Sequence, residues 1–359
     1  MWTFQPADRH PSKACGALVH LHSPPQQVRL QGCFQQDMAR SGERVQRAAA
    51  GGIRGLVNAM IDQRQVDHYA QAGRVDRIVA ERNVVLTYVL KALRDSRLFH
   101  RLVFKGGTCL RKIYLGKTGR FSMDLDFTAV GISPGKFSCL LRELLHGKTH
   151  YGITFTMEDE YVREEILPSY GALIAYEHSW NRANFWFQAS FRERPFLPPR
   201  SLPLQDELYF RYMEFGPFEV PCLRIEELLA EKIRAAFQRT SARDIYDMYL
   251  MSRVPHDREL VRMLVVLKLW NVRAPFDPKA LLEKITVNRY NWDDLRALVS
   301  GGKMPAPSKL VSEIAEEYGH LLRLNDRLRA VAADSKSHRQ RELVAELIKE
   351  LNRHIGAEK

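Results

Sequence analysis

The stretch LVFKGGTCLRKIYLGKTGRFSMDLDF, which starts at Leu102, constrains the fold of this chain more than any other. Its apolar opening predicts a buried strand, and the two glycines that follow predict a tight turn. Cys109–Leu115 suits a helix that starts on that turn. Met123–Val130 then alternates like a strand, with Asp124 and Asp126 on one face. The stretch therefore predicts a strand, a glycine turn, a helix and a second strand that carries paired carboxylates.

Hydrophobic periodicity divides the rest of the chain into an α/β half and a helical half. Apolar residues at helical spacing predict a long amphipathic helix that ends near Asp95, and Pro195–Pro199 predicts a loop because proline cannot join a sheet ladder. Further strands are predicted at 153–158, 171–178 and 183–192, and helical faces at 225–237, 310–331 and 343–351. The predicted fold class is α/β (α+β), a mixed sheet with flanking helices followed by an α-helical C-terminal domain.

The length of the chain limits the number of domains, and its net charge indicates the kind of partner. The 359 residues suit one large or two ordinary domains, which we place at 55–222 (catalytic) and 223–359 (helical), after a poorly ordered extension at 1–54. The net charge of +12 favours a polyanionic partner such as RNA, DNA or a nucleoside triphosphate, although it equally suits an ordinary basic protein.

The cysteines and the hydropathy of the chain indicate the cellular compartment. The five cysteines show no CxxC spacing, so neither a disulfide framework nor a cysteine-type zinc site is expected. No apolar run approaches the ~20 residues of a membrane helix, and the N-terminus does not read as a signal peptide. We therefore expect a cytoplasmic protein without a membrane segment.

The glycine turn and the paired acids together suit phosphate chemistry. Two glycines let backbone approach a bulky anion, and the helix N-terminus behind them offers unpaired N–H groups. Asp124 and Asp126 point to one side of their strand and could hold one or two Mg²⁺ ions, which prefer oxygen ligands. Each part alone has an ordinary explanation, as a turn or as a solvated strand face. Their order along the chain is what favours phosphoryl or nucleotidyl transfer.

The same residues resemble the AbiEii toxin family of the nucleotidyltransferase superfamily, whose members read F-K-G-G-T-x-L-R-K and then R-F-S-x-D-L-D-F. Residues 104–112 and 120–127 match these two motifs. Residues 226–235 resemble the family's lysine-bearing helix, and residues 242–249 resemble its R-D-x-Y-D helix. The resemblance covers roughly residues 75–255.

The resemblance implies a role for each matched residue. The residues that would contact the bound nucleoside triphosphate are Lys105, Gly106, Gly107, Thr108, Arg120 and Ser122. Asp124 and Asp126 would hold Mg²⁺ or Mn²⁺, Lys232 would reach the triphosphate, and Asp244 would complete the pocket. Judged by their own surroundings, Lys232 could equally be a boundary lysine, and Asp244 an acid favoured by the dipole of its helix.

Three points about this site stay open in the sequence. Many polymerase-like relatives carry a third carboxylate on a later strand, where this chain offers Gln188 and Ser190; the third ligand is absent, or Glu158 or Glu177 supplies it. Further bases that would suit a triphosphate pocket are Arg111, Lys112 and Lys117. Aromatic residues that would stack a base, or simply belong to the core, are Tyr151, Tyr170, Tyr176, Trp180 and Trp186.

The resemblance implies a toxin of a toxin–antitoxin or abortive-infection system, with an antitoxin protein as partner. It would transfer a nucleoside monophosphate from a triphosphate to an RNA 3′ end, most simply a tRNA acceptor stem, and release pyrophosphate. Two alternatives stay open. One is nucleotide or phosphate transfer to a protein hydroxyl, and the other is an inert RNA- or partner-binding module. Retention of both Asp124 and Asp126 argues against the inert module.

Overall fold

The computed structural model describes residues 60–165 and 167–356, so the extension predicted at 1–54 lies outside the described residues. The strands are β1 (Leu102–Lys105), β2 (Leu125–Ala129), β3 (Lys148–His150), β4 (Ile153–Arg163), β5 (Ser169–His178), β6 (Asn181–Ser190), β7 (Arg200–Pro203) and β8 (Glu219–Cys222). The helices are α1 (Gln63–Gly73), α2 (Arg77–Arg94), α3 (Gly106–Cys109), α4 (Pro134–Leu145), α5 (Ile225–Gln238), α6 (Ala242–Met251), α7 (Arg258–Asn271), α8 (Pro278–Lys284), α9 (Asp293–Arg296), α10 (Pro307–Glu317), α11 (Asp326–Asp334) and α12 (Arg341–Gly356).

The described strands form one mixed sheet in the order β3-β4-β5-β6-β2-β1-β8-β7. β1 pairs antiparallel with β2 and parallel with β8, while β2 pairs parallel with β6. Rings from neighbouring central strands stack on one face, as Phe127 does on Phe187 with ring centres 5.1 Å apart. Helices flank the sheet and continue to the end of the described chain. The predicted fold class is confirmed.

The β1–β2 unit differs from its prediction in where the helix begins. The helix opens on Gly106 itself, in a backbone conformation (φ +78°) that L side chains rarely adopt, and continues as wider π-helical turns through Leu110–Leu115. The predicted start at Cys109 is therefore wrong by one turn. β2 pairs only from Leu125 onward, so Asp124 stands at the entry of the strand.

Two other predictions need correction. The apolar face expected over 310–331 is two helices, because the chain leaves the helical path after Leu322 and Asn325 starts α11 by accepting a hydrogen bond from the Leu328 amide at 2.9 Å. The short strands β3, β7 and β8 were not predicted, since runs of three or four residues carry too little alternation. The loop predicted at 195–199 is confirmed.

Every helix within residues 60–165 and 167–356 is too short or too polar to cross a bilayer.

Candidate active site

The diglycine turn and Asp126 meet at one end of the β1–β2 pair. Lys105 lies directly opposite Asp126, so the next residue, Gly106, passes against the Asp126 side chain. A Cβ on Gly106 would lie 2.2 Å from Asp126 Oδ2, and a Cβ on Gly107 would lie 2.7 Å from an Arg120 guanidinium nitrogen. Gly106 therefore requires glycine, Gly107 leaves room for the Arg120 guanidinium, and the turn lies beside a carboxylate and a cation.

Thr108 and Ser122 lie beside this turn. The Thr108 hydroxyl donates a hydrogen bond to the Asp124 backbone carbonyl, which ties the start of the helix to the entry of β2. Its side chain is buried, so the fold itself uses the donor that was predicted to face a triphosphate. Ser122 Oγ lies 3.1 Å from where a Gly107 Cβ would be, which places its hydroxyl at the wall of the turn.

The two acids are unfavourably placed as anions. Burial raises the pKa of both Asp124 and Asp126, and the negative charge of Asp124 raises that of Asp126 further, against the opposing effects of Lys105 and Lys232. Asp124 Oδ1 accepts a hydrogen bond from the Trp186 amide at 3.4 Å. In the described part of the chain, no side chain or amide donates a hydrogen bond to the Asp126 carboxylate.

This donor set fits a hard divalent cation. Two neighbouring carboxylates supply the oxygen ligands that Mg²⁺ prefers, and Mg²⁺ keeps waters and substrate phosphates in its other positions. Within the described residues, no group of three Asp, Glu, His or Cys side chains could hold a metal ion. Asp124 and Asp126 would therefore hold the ion as a pair.

A neutral amide stands where a third carboxylate would be expected. Gln188 on β6 pairs directly with Asp126, so both side chains point to the same face. Glu158 contacts Arg182 at 3.4 Å and Asn184 at 3.3 Å instead of the acid pair. The strand positions next to Asp126 thus offer an amide oxygen in place of a third acid.

Helix α5 brings Lys232 to the site, where two carboxylates of α6 contact it. Lys232 Nζ lies 2.7 Å from Asp247 and 3.2 Å from Asp244. Asp247 also accepts two hydrogen bonds from Arg120, both of 2.8 Å. Burial would lower the pKa of Lys232, but the two carboxylates outweigh it and raise the pKa, so this ammonium is firmly charged. Predicted Arg120, Lys232 and Asp244 therefore belong to one buried network.

Asp247 and Glu231 are site residues that the sequence analysis missed. Asp247 comes one helical turn after Asp244 on α6, and this i, i+3 spacing of two acids on a buried face was the signal that could have revealed it. Glu231 contacts Lys105 at 3.2 Å and Lys268 at 3.2 Å. Burial alone would raise the pKa of Glu231, but the neighbouring cations hold it well below its usual range.

Two of the bases that would have suited a triphosphate pocket lie in a different network. Arg111 contacts Glu207 at 2.8 Å, and Lys112 donates to the Asn83 carbonyl and to Thr87. Burial lowers the pKa of Lys112 to about 7. Their polar groups are engaged inside the protein, so Arg111 and Lys112 serve the fold.

The candidate stacking residues divide in the same way. Tyr170 and Tyr176 are fully buried in the core, whereas Trp186 is half-buried on the face that carries the acids. Tyr161, which the sequence analysis did not single out, is an exposed aromatic residue on that same face.

Comparisons with known proteins identify the family to which the chain belongs. MenT4, a nucleotidyltransferase toxin from Mycobacterium tuberculosis H37Rv, superposes with a TM-score of 0.70 at 25% identity, over 81% of this chain and 99% of that chain. JHP933 from Helicobacter pylori gives a TM-score of 0.40 at 18% identity, over 79% of this chain and 100% of that chain. No curated protein sequence gives a significant match. A family model described as nucleotidyl transferase AbiEii toxin, type IV toxin–antitoxin system, matches residues 88–334. The chain belongs to this family of nucleotidyltransferase toxins.

Proposed function

We propose that this toxin transfers a nucleoside monophosphate from a Mg²⁺-bound nucleoside triphosphate to the 3′ end of an RNA, and that the RNA is a tRNA at its acceptor stem. Pyrophosphate is the second product. Both substrates are cytoplasmic, which is where we place the reaction. An antitoxin protein is its partner, as the family's membership of type IV toxin–antitoxin systems implies.

One observation carries the proposal. Asp126 lies against the diglycine turn, since a Gly106 Cβ would overlap its Oδ2 at 2.2 Å, and Asp124 lies close enough to raise the pKa of Asp126. A triphosphate lying on the turn would therefore have its phosphates beside the acids that hold the ion. This adjacency is what nucleotidyl transfer needs, because positioning and charge neutralisation dominate phosphoryl chemistry.

Each part of the network has a role in this reaction. Mg²⁺ held by Asp124 and Asp126 would polarise the α-phosphate and bring the attacking hydroxyl oxygen to it. The unpaired N–H groups at the start of α3 would face the triphosphate oxygens. Arg120, fixed by Asp247 next to Gly107, would neutralise the charge that develops on the leaving pyrophosphate.

Lys232 and Asp244 belong to the helical part of the site. Lys232 lies close enough to Asp126 to lower the pKa of that acid, so it can neutralise the same pyrophosphate. Asp244 holds both Lys232 and Arg239, and the Arg239 side chain is 64% exposed at the rim of the site. We propose on this basis that a helical domain at 223–359 completes a catalytic domain at 55–222.

A nucleic-acid acceptor is favoured by charge. The chain carries a net +12, and Arg243, Arg82 and Arg120 lie close enough to Asp124 to lower its pKa against the larger effect of burial. These cations surround a site that already holds two acids, so they leave positive potential for a polyanion. An RNA end read by its phosphates and shape suits such a surface.

The test uses total tRNA, Mg²⁺ and each nucleoside triphosphate labelled at the α- or the γ-phosphorus. We expect α-label in tRNA, no γ-label, and loss of transfer in Asp124→Asn. Asp293→Asn, which changes an acid whose side chain is 90% exposed, is the matched control and keeps activity. Label in protein, or γ-label in any acceptor, would overturn the proposed reaction.

A further inference from the structure

A single row of paired residues crosses the sheet from the glycine turn toward its far edge. Lys105 lies opposite Asp126, Asp126 beside Gln188, Gln188 opposite Gly171, and Gly171 opposite Tyr161. Directly paired residues point to the same face, so Tyr161 lies on the face that carries the acids. With strands about 4.8 Å apart, the Tyr161 backbone is three strand spacings, about 14 Å, from that of Asp126.

Gly171 makes room for the Tyr161 ring. A Cβ on Gly171 would lie 2.3 Å from Tyr161 Cε1, so the ring lies directly against the β5 backbone, leaning toward β6. Tyr161 nevertheless keeps 37% of its surface exposed. A partly exposed ring that is supported from beneath by glycine is a surface on which a nucleobase can stack.

The reaction geometry places the acceptor strand on this side of the acids. Displacement at the α-phosphorus is in line, so the attacking hydroxyl approaches from the side opposite the leaving pyrophosphate. The glycine turn, where the pyrophosphate would lie, follows β1, and β6, β5 and β4 extend on the other side of Asp126. A 3′-hydroxyl that reaches the acids from there brings the end of its strand across the row toward Tyr161.

The charges around Tyr161 suit a nucleic-acid strand. The Arg163 guanidinium lies 5.3 Å from the ring centre, and Arg192 lies within electrostatic range of the tyrosine hydroxyl. Of the neighbouring acids on β4, Glu158 contacts Arg182 at 3.4 Å, while Asp159 accepts a hydrogen bond from the Glu160 amide at 2.8 Å. An aromatic ring flanked by guanidinium groups combines base stacking with phosphate contacts.

We infer that Tyr161 is a positioning residue on which an unpaired base near the 3′ end of the RNA acceptor stacks, with Arg163 and Arg192 holding the adjoining phosphates. The inference rests on the nucleotidyl transfer to RNA proposed above. It adds a binding surface for the acceptor that lies outside the triphosphate pocket. Tyr161 would set the KM for RNA and leave triphosphate binding unchanged.

The test compares Tyr161→Ala, which removes the ring, with Tyr161→Phe, which keeps it. Transfer of α-labelled nucleotide to total tRNA gives the KM for tRNA and kcat, and calorimetric titration with an α,β-non-hydrolysable triphosphate and Mg²⁺ gives triphosphate affinity. We expect Tyr161→Ala to raise the KM for tRNA about tenfold to a hundredfold, as loss of one stacked base does. Tyr161→Phe should stay within about twofold, with triphosphate affinity constant in both. Thr154→Ala, an exposed change near the other end of β4, is the control.

The outcomes separate this inference from the proposed function. Transfer to tRNA by the unmutated protein with an unchanged KM in Tyr161→Ala would overturn the stacking role alone. An equal loss in Tyr161→Phe and Tyr161→Ala would do so too, because it would show that the hydroxyl matters instead of the ring. Weaker triphosphate binding in Tyr161→Ala would assign the ring to the incoming nucleotide. Label in protein instead of tRNA would overturn the proposed function and this inference together.

Discussion

At the scale of single residues, the fold places two acids where their charges are least favoured. Burial raises the pKa of Asp124 and of Asp126, and the negative charge of Asp124 raises that of Asp126 further. A carboxyl whose pKa is raised on folding binds its proton more tightly in the folded protein. It therefore lowers stability above that raised pKa, and the loss disappears as the pH falls through it. The unfavourable placement would also favour a cation bound beside the pair.

Asp126→Asn should consequently raise stability while it removes activity. At pH 7 in EDTA the variant should melt at a higher temperature than the unmutated protein, because it no longer holds a carboxylate whose charge is disfavoured by desolvation and by Asp124 more than Lys105 and Lys232 offset. The difference should shrink as the pH falls through the raised pKa of Asp126, where the unmutated acid takes up a proton. Thermal unfolding across a pH series measures it.

Mg²⁺ provides the control for that experiment. An ion that binds only the folded protein stabilises it, so Mg²⁺ should raise the melting temperature of the unmutated protein and leave that of Asp126→Asn nearly unchanged. Nucleotide transfer by the variant should fall about a hundredfold or more. A variant that melts below the unmutated protein in EDTA would show that Asp126 holds the fold together instead of binding an ion.

Asp247 is the residue through which the cations of the pocket are positioned. Its carboxylate accepts two hydrogen bonds of 2.8 Å from Arg120 and lies 2.7 Å from Lys232 Nζ. Asp247→Asn keeps the shape but loses the charge, so Arg120 and Lys232 should shift. We expect kcat/KM for the triphosphate to fall about thirtyfold or more, because losing a charged partner of a buried pair costs about 2–5 kcal/mol.

The control for Asp247→Asn is Glu317→Gln, which removes a carboxylate charge from a different ion pair. Glu317 meets Arg258 at 2.8 Å on the surface, where the Arg258 side chain is 57% exposed. Surface pairs contribute about 0–1 kcal/mol, so this control should leave both kinetics and stability almost unchanged. Equal kinetics in the two variants would contradict a positioning role for Asp247.

At the scale of elements, the sequence predicts those strands and turns that depend on residues close together in the chain. The β1 strand, its glycine turn and the alternating acids of β2 are predicted because each depends on residues close in the chain. β8 is not, since Glu219–Cys222 becomes a strand only by lying between β1 and β7. Tyr161 escapes prediction for the same reason, because its position opposite Gly171 depends on the register of two long strands and on a bulge between Met157 and Asp159.

Helix α7 carries Lys268, whose buried ammonium contacts the site residue Glu231. Lys268 is 1% exposed and lies 2.9 Å from Glu227 and 3.2 Å from both Glu193 and Glu231. The Glu227 carboxylate also accepts hydrogen bonds from the Phe196 and Leu197 amides at 3.0 and 2.9 Å, so it holds the proline-rich loop. Lys268 thus contacts three acids, of which Glu231 also contacts Lys105 and Glu193 also lies near Arg234.

Lys268→Met should therefore destabilise the protein by about 3–5 kcal/mol, the cost of leaving buried charges unpaired. Chemical denaturation measures this change in unfolding free energy. Lys279→Met provides the comparison, because Lys279 pairs with Glu283 one turn away on a helix surface with its side chain 78% exposed. That change should cost less than about 1 kcal/mol. Equal losses would mean that the glutamates around Lys268 are solvated or protonated.

At the scale of the whole molecule, the contacts that build the site cross the boundary proposed between the two domains. The Leu223 amide donates to the Phe104 carbonyl at 3.0 Å, Lys105 reaches Glu231, and Arg120 reaches Asp247. Each contact joins the β1–β2 region to residues at or beyond the start of the helical half, and the last two are buried ion pairs. Dividing the chain after residue 222 would leave their charges unpaired in the remaining fragment.

A chain that ends at Cys222 should accordingly fail to form a native sheet, although it contains every strand described here. It would lack helix α5 and with it the burial of Leu228, Leu229 and Ile233, each of which contributes about 1.5–3 kcal/mol. Unfolding in urea, followed by circular dichroism and by tryptophan fluorescence, should give coincident single transitions for the full chain, and no cooperative transition for the fragment. A fragment that unfolds cooperatively and binds a Mg²⁺-triphosphate complex would contradict this. In that case the helical half would be an addition to a self-sufficient catalytic domain, and Lys232 would have only an accessory role in the pocket.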